Sequence, residues 1–144
     1  MTENGTFALC RAFFFYFCIM QKSRIAIVGA GAAGCFAAQR IQELCPDVAV
    51  VLFEAQDRPL RKVAITGGGR CNLTNSFQQV TDLREVYPRG HQLMKRLMHS
   101  WNQWDTMSWF EERGVRLVTQ EDACVFPQSQ RAMENVGVLR HGLD

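Results

Sequence analysis

A glycine-rich turn between a short apolar run and an alanine-rich segment is the feature that most constrains the fold. Residues 24–28 are rich in isoleucine and valine, as expected of a strand buried on both faces of a parallel sheet. Gly29, Gly31 and Gly34 follow directly in the spacing G-x-G-x-x-G. Residues 32–44 then carry apolar side chains at near-helical spacing. The order therefore predicts a strand, a tight turn and a helix.

Each of the three glycines suits a different demand of a dinucleotide-binding turn. Gly29 permits the sharp turn, Gly31 lets the backbone approach a pyrophosphate, and Gly34 lets the helix pack closely on the strand. The N–H groups at the start of the helix would face the diphosphate, whose charge the helix dipole favours. The alternative is a tight β–α turn in another kind of doubly wound protein. We expect the whole loop to contact the dinucleotide: Gly29, Ala30, Gly31, Ala32, Ala33 and Gly34.

An acidic residue ends the second predicted strand, residues 48–53. Glu54 lies 20 residues beyond Gly34, where the dinucleotide fingerprint places a partner for ribose hydroxyls. A carboxylate at this point would repel a 2′-phosphate, so FAD and NAD both fit and the first motif does not distinguish them. We expect Glu54 and the adjacent Ala55 to belong to the cofactor site.

A second glycine-rich segment occupies residues 66–75. Three consecutive glycines let the backbone approach a ligand without Cβ clashes, and successive N–H groups can form an anion-binding concavity. Lys62 and Arg70 would bring positive charge to a diphosphate or to an anionic reduced flavin. The residues alone leave open a flexible glycine loop with solvated polar side chains. Hydrogen bonds to a flavin edge or to ribityl hydroxyls are expected from Asn72, Thr74 and Asn75.

Residues 60–75 resemble a motif of the BaiN-like (YhiN-like) family of NAD(P)/FAD-dependent oxidoreductases. That motif has a lysine, a few apolar residues, Ser-Gly-Gly-Gly-Arg-Cys-Asn, any residue, and then Thr-Asn. Lys62 matches the lysine, Thr66 replaces the serine and keeps its hydroxyl, and residues 67–75 match the rest. Residues 121–129 resemble the family's acidic turn before Val-Phe-Pro, with Ala123 and Cys124 in place of its glycines. The resemblance implies cofactor contacts from Lys62, Thr66, Gly67, Gly68, Gly69, Arg70, Cys71, Asn72, Thr74 and Asn75.

The resemblance covers roughly residue 24 to the end. It implies an α/β, Rossmann-like FAD/NAD(P)-binding fold with a βαβ start, further helices and a β-hairpin, incomplete in 144 residues. It also implies FAD as cofactor, NAD(P)H as hydride donor and a small-molecule substrate, such as an enone or an amine, in a longer protein. We expect this portion alone to be inactive, and no catalytic acid or base is assigned. Two alternatives stay open: the nucleotide domain of an NAD-dependent dehydrogenase, and a non-catalytic truncated remnant.

Composition excludes several other classes of protein. The 16 Lys and Arg are nearly balanced by 14 Asp and Glu, and a net charge of +2 predicts no nucleic-acid partner. The six cysteines lack redox or metal-ligand spacing, so we expect a reducing cytoplasm, no metal site, and a packed, unreactive thiol at Cys71. Residues 1–19 contain an apolar run too short to span a bilayer. We expect these residues to be a non-native or disordered extension, with Met20 as the initiator, and a membrane anchor is the weaker alternative.

The remaining chain predicts two helices, a hairpin and a last helix. Residues 93–101 and about 102–113 have helical spacing, and the second of these helices should stop at Gly114. Residues 115–118 and 124–126 should pair as strands, and Ser129 should cap a last helix. We expect core or interface packing for the tryptophans and surface positions for two histidines on the first helix: Trp101, Trp104, Trp109, His91 and His99.

Overall fold

The computed structural model describes residues 23–141 and 143. The expectations for residues 1–19 and for Met20 lie outside these described residues. The described chain divides into two compact units, of which the first ends at Ala55 and the second begins at Gln56. Within residues 23–141 and 143, no helix has the length and apolar character needed to cross a membrane.

The first unit is a βαβ motif. Strand β1 (Arg24–Val28), helix α1 (Ala32–Leu44) and strand β2 (Ala49–Phe53) follow one another in that order. The two strands are parallel, with Ile25 opposite Val50 and Val28 opposite Phe53. The predicted bounds of β1 and α1 are confirmed, and β2 begins one residue later than predicted. The Rossmann-like start of the chain is therefore present.

One face of this two-stranded sheet is exposed, which corrects the expectation that β1 is buried on both faces. Ile27 lies on the α1 side, because its Cγ2 would be 3.4 Å from a Cβ built on Gly34. Neighbouring residues along a strand point to opposite faces, so Val28 and Phe53 lie on the other side. Their side chains are 88% and 54% exposed. The sequence pattern is that of a fully covered strand, but in this chain helix α1 covers a single face.

The second unit combines short helices with a three-stranded antiparallel sheet. Its elements are α2 (Arg61–Gly69), β3 (Thr74–Asn75), α3 (Leu83–Val86), α4 (His91–Ser100), α5 (Gln103–Glu111), β4 (Leu117–Thr119), β5 (Cys124–Pro127) and α6 (Ala132–Arg140). The strand order is β3-β5-β4, with Thr74 opposite Val125 and Val118 opposite Phe126. The predicted hairpin is β4–β5. The pairing of β3 with β5 is not predicted by the sequence.

The hairpin turn uses an unusual backbone conformation. Ala123 has a φ of +63° at a position where the resembling family has a glycine. Its N–H donates to the carbonyl of Gln120 at 2.9 Å, and the N–H of Gln120 donates to the carbonyl of Cys124 at 2.9 Å. These two bonds close the turn, so the left-handed conformation persists without a glycine although a Cβ normally disfavours it.

The core of the second unit lies between its sheet and helices α5 and α6. Trp109 and Phe110 on α5 are buried and meet edge to face, with ring centroids 4.9 Å apart. Trp104, by contrast, is half exposed, so Trp109 packs in the core, whereas for Trp104 the interface alternative stays a prediction. The other buried apolar side chains of this core include Val115, Val125, Phe126, Val136 and Leu139.

Two helix boundaries follow from local hydrogen bonds. Asn102 and Asp105 form a capping box at the start of α5, as the side chain of each accepts a backbone N–H of the other. The expectation that Ser129 caps α6 is wrong, because Arg131 is the N-cap residue. Gln130 has a φ of +55° and its N–H donates to the carbonyl of Pro127, so an extra turn delays the helix. The Ser129 hydroxyl donates instead to the Glu134 carboxylate.

Candidate cofactor site

The first glycine turn has the geometry that its motif predicts. Gly29 has a φ of +102°, and its N–H donates to the carbonyl of Phe53 at 2.7 Å. A Cβ on Gly34 would lie 1.9 Å from the carbonyl oxygen of Gly29, so helix α1 approaches the turn more closely than any side chain allows. A Cβ on Gly31 would meet nothing within 4 Å. The backbone is therefore packed at Gly34 and open at Gly31, the position assigned to pyrophosphate approach.

The predicted acid lies against this turn. The Glu54 carboxylate accepts the N–H of Ala30, with 2.8 Å between Oε2 and the amide nitrogen. Ala30 is buried, whereas Glu54 is exposed at the end of β2. The carboxylate is thus fixed beside the glycine loop, where a ribose partner is expected. Ala32 and Ala33 form the exposed first turn of α1, and Ala55 is exposed next to Glu54.

A buried thiol that the sequence analysis did not single out supports the turn from the helix side. Cys35 is fully buried, and its thiol donates to the carbonyl of Ala30 at 3.5 Å. Burial raises the pKa of this thiol, and the nearby charge of Glu54 raises it further. Cys35 is therefore a neutral packing residue. Its position, one residue after Gly34, is the sequence signal that could have identified it.

The second glycine segment forms a compact left-handed turn. Helix α2 leaves helical geometry at Thr66, and Gly67, Gly68 and Gly69 have φ values of +58°, +70° and +82°. A Cβ on Gly67 would lie 2.8 Å from the backbone nitrogen of Asn72, so this glycine is required by packing. A Cβ on Gly68 or Gly69 would meet nothing within 4 Å. Two of the three glycines therefore leave their backbone open to a ligand.

Arg70 holds this turn against strand β5. Its Nε donates to the carbonyl of Gly67 at 3.1 Å, and its guanidinium lies 4.4 Å from the ring centroid of Phe126. Its Nη1 also reaches Oε1 of Gln130 at 3.5 Å. The side chain stays exposed, so its positive charge remains at the surface beside the glycines. Phe126 and Gln130 are site residues that the sequence analysis did not assign a role.

Cys71 is packed beneath the same turn. It is buried with a φ of +62°, and its N–H donates to the carbonyl of Thr66 at 3.0 Å. Burial raises the pKa of the thiol, and an interaction with the fully buried side chain of Asn135 partly offsets that effect. A neutral thiol with this surrounding fits a structural role better than a redox role.

The remaining polar residues of the segment tie it to the β4–β5 hairpin. Asn72 donates through Nδ2 to the sulfur of Cys124 at 3.3 Å. Asn75 accepts the N–H of Phe77 at 2.8 Å and donates to the carbonyl of Asp122 at 3.4 Å. The hydroxyl of Thr74 donates to the carbonyl of Asn75 at 3.4 Å, and Lys62 is exposed on α2. These contacts show a fixed loop, in contrast to the flexible loop that the residues alone left open.

The two stretches that carry the family resemblance meet in one sheet. Strand β3 lies in residues 66–75 and strand β5 in residues 121–129, and they pair antiparallel. The first glycine loop belongs to the other compact unit. Each unit therefore presents its own open glycine backbone, at Gly31 in the first and at Gly68 and Gly69 in the second. In each unit taken by itself, the open glycine backbone suits a ligand that needs close backbone contact.

Comparison with known proteins agrees with these features. Residues 23–144 match a family model described as the HI0933-like protein Rossmann domain. A ribosomal RNA dihydrouridine synthase from Haemophilus influenzae is 35% identical over 95 residues, covering 66% of this chain and 22% of that protein. A protein of the same name from Escherichia coli is 29% identical over 96 residues, covering 67% and 23%.

A 3-dehydro-bile acid delta(4,6)-reductase from Clostridium scindens is 26% identical over 117 residues, covering 81% of this chain and 28% of that protein. The chain thus spans about a quarter of the length of the curated relatives that it matches.

Proposed function

Because the chain belongs to the HI0933-like Rossmann-domain family, the YhiN/BaiN-like flavoproteins, we propose that it is the FAD-binding part of a flavin-dependent reductase. The proposed reaction is reduction of a carbon–carbon double bond conjugated with a carbonyl group, with NAD(P)H as the hydride donor. The observation that carries the cofactor assignment is the open backbone at Gly31 beside the fixed carboxylate of Glu54.

The names of the relatives supply the proposed substrate chemistry. Dihydrouridine differs from uridine by saturation of a double bond that is conjugated with a ring carbonyl, and a 3-keto steroid with Δ4,6 unsaturation carries a conjugated dienone. In both substrates the carbonyl polarises the double bond toward hydride addition. When bound, FAD would supply the hydride-carrying ring, since the cofactor does the redox chemistry in such enzymes. Uridine in RNA and a steroid dienone are therefore the two candidate substrates.

The residues of this chain bind and orient the cofactor in this proposal. The N–H groups at the start of α1 face the diphosphate, where the helix dipole favours negative charge. Glu54 hydrogen-bonds a ribose, and its charge disfavours a 2′-phosphate at that point. Gly68 and Gly69 leave their backbone open to a ligand. The exposed positive charge of Arg70 would stabilise a flavin that becomes anionic on reduction.

The cofactor is tested by comparing Glu54→Gln with Glu43→Gln, which removes an exposed acid from α1 of the same unit. A hydrogen bond to a charged group contributes more than one to a neutral group, so Glu54→Gln should weaken FAD binding about tenfold. The control should bind FAD as the parent protein does. Equal affinities for all three proteins would contradict the assigned role of Glu54.

The reaction is tested anaerobically with the purified flavoprotein. NADH or NADPH should bleach the flavin absorbance, and a uridine-containing RNA or a 3-keto-4,6-diene should restore it while gaining the mass of two hydrogen atoms. A colourless protein that binds NADH directly would instead indicate an NAD-dependent dehydrogenase. A protein that retains no flavin after desalting would indicate the non-catalytic remnant.

A further inference from the structure

Nineteen consecutive residues around helix α4, residues 86–104, contain no aspartate or glutamate. The stretch carries three cations, Arg89, Lys95 and Arg96, and two histidines, His91 and His99. Over the whole chain the charges nearly balance, with 16 basic and 14 acidic residues, so the stretch is a local exception. We call Arg89 together with the polar face of α4 the α4 cationic surface.

Helix α4 separates these residues from its apolar side chains. His91, Lys95 and His99 repeat every fourth position and so lie along one side of the helix, with Arg96 beside them. From residue 91 to residue 99 the helix rises about 12 Å. Leu93 and Leu97 lie on the other side. The polar side chains of α4 therefore form a stripe along the helix, and Arg89 lies two residues before its start.

The charges of this stripe are available to a partner. Arg89, Lys95 and Arg96 are exposed, and none of the three forms an ion pair with a residue in the described part of the chain. Other arginines in the same described part do find acids, as Arg84 pairs with Asp82 at 2.7 Å. At the end of the stretch, the Asp105 carboxylate already accepts the N–H of Asn102 at 2.8 Å. Asp82, which pairs with Arg84, also lies close enough to act on His91, so the unpaired positive charge is that of Arg89, Lys95 and Arg96.

We propose that the α4 cationic surface binds the phosphate backbone of RNA. The unpaired, exposed side chains of Arg89, Lys95 and Arg96 suit a polyanion, since phosphate contacts release condensed counterions. This revises the expectation of no nucleic-acid partner, which rested on net charge alone. The choice of RNA over other polyanions rests on the proposed reduction of uridine.

A lipid surface fits the same helix less well. A membrane-surface helix inserts its whole apolar face, but α4 has ten residues and exposes Leu93 and Leu97 only by about half, at 52% and 51%. Lys95, Arg96 and His99 are exposed, and His91 is half-buried. Binding through these side chains leaves the apolar face free to pack against protein.

The test measures binding of the purified protein to a fluorescein-labelled RNA hairpin that contains uridines, by fluorescence anisotropy between about 50 and 200 mM salt. The double variant Lys95→Gln/Arg96→Gln removes two charges from the stripe. The matched control, Arg116→Gln/Arg131→Gln, removes two exposed charges elsewhere in the same unit. Each lost phosphate contact lowers the slope of log K against log salt by about 1, so the first variant should lose about 2 and the control nothing.

Three results would overturn the proposal. The parent protein does not bind the RNA, or the control variant weakens binding as much as the α4 variant does, or the α4 substitutions impair binding to phosphatidylserine vesicles while RNA binding stays unchanged. The urea unfolding curve, recorded for every variant, shows that each variant is folded. A protein that binds RNA through α4 but reduces no uridine would contradict uridine as the substrate and leave the RNA surface standing.

Discussion

Replacing Gly34 is predicted to destabilise the protein, because a Cβ at this position would clash with one backbone atom of the turn. In Gly34→Ala the new Cβ would lie 1.9 Å from the Gly29 carbonyl oxygen, so strand and helix must separate by about 1 Å or more. The clashing atom is backbone and cannot rotate away. Overpacking of this kind costs about 3 kcal/mol, and the better helix propensity of alanine returns about 1 kcal/mol. We expect a net loss of about 2 kcal/mol.

Gly31→Ser provides the contrast within the same turn. Gly31 is the N-cap residue of α1, has an extended backbone and faces open space, so serine fits without strain. Serine is also the better N-cap residue, which should raise stability by a few tenths of a kcal/mol. Its side chain would occupy the approach of the diphosphate and compete for the helix N–H groups. We therefore expect FAD affinity to fall at least tenfold, a loss of about 1.4 kcal/mol.

Urea unfolding of the apoprotein and FAD titration measure the two effects separately. Gly34→Ala should lower both stability and FAD affinity, whereas Gly31→Ser should lower FAD affinity alone. An unfolding free energy of Gly34→Ala within about 0.5 kcal/mol of the parent would refute the packing argument. Parental FAD affinity in Gly31→Ser would refute the assignment of the open backbone to the diphosphate.

Three further outcomes are expected, and each concerns a residue of the second unit, in one case compared with Cys45 of the first. Gly67→Ala should destabilise the protein by about 2 kcal/mol in urea unfolding, because its Cβ would lie 2.8 Å from the Asn72 nitrogen; loss of FAD binding without loss of stability would contradict this. The backbone N–H of Cys124, which donates to the Asp122 carboxylate at 3.0 Å, holds the pKa of Asp122 below its usual value. Its contribution to stability is thus present above the unfolded pKa of about 3.9 and is lost as pH falls through the lower folded pKa, so Asp122→Asn should flatten the acid side of a stability–pH curve. Iodoacetamide should alkylate exposed Cys45 in the native protein and leave buried Cys71 intact, as read by peptide mass; early labelling of Cys71 would indicate a reactive thiol.

Local signals in the sequence predict the first unit well. The strand ending at Val28 and the helix spanning Ala32–Leu44 appear with the predicted bounds, because glycine spacing and apolar periodicity act within a few residues. The position of Glu54 beside the glycine turn also follows from the motif spacing. What the pattern does not reveal is that one face of the sheet stays exposed, since coverage depends on elements far away in the chain.

The second unit contains three features that local sequence signals do not predict. The pairing of Thr74 with Val125 joins residues far apart in the chain, and nothing local in either strand specifies it. The shift of the α6 cap from Ser129 to Arg131 depends on the left-handed backbone of Gln130, which propensity does not predict. The contact of Arg70 with Phe126 depends on the same pairing of β3 with β5, so the sequence does not predict it either.

The cofactor itself is the central claim, and its content in the purified protein tests that claim most directly. The absorbance spectrum after desalting, with the flavin released and identified, gives the amount of FAD per chain. The account predicts a yellow protein with one FAD per chain, and a lower FAD content in Gly31→Ser than in the parent. A colourless parent protein that takes up NADH and not FAD would contradict it.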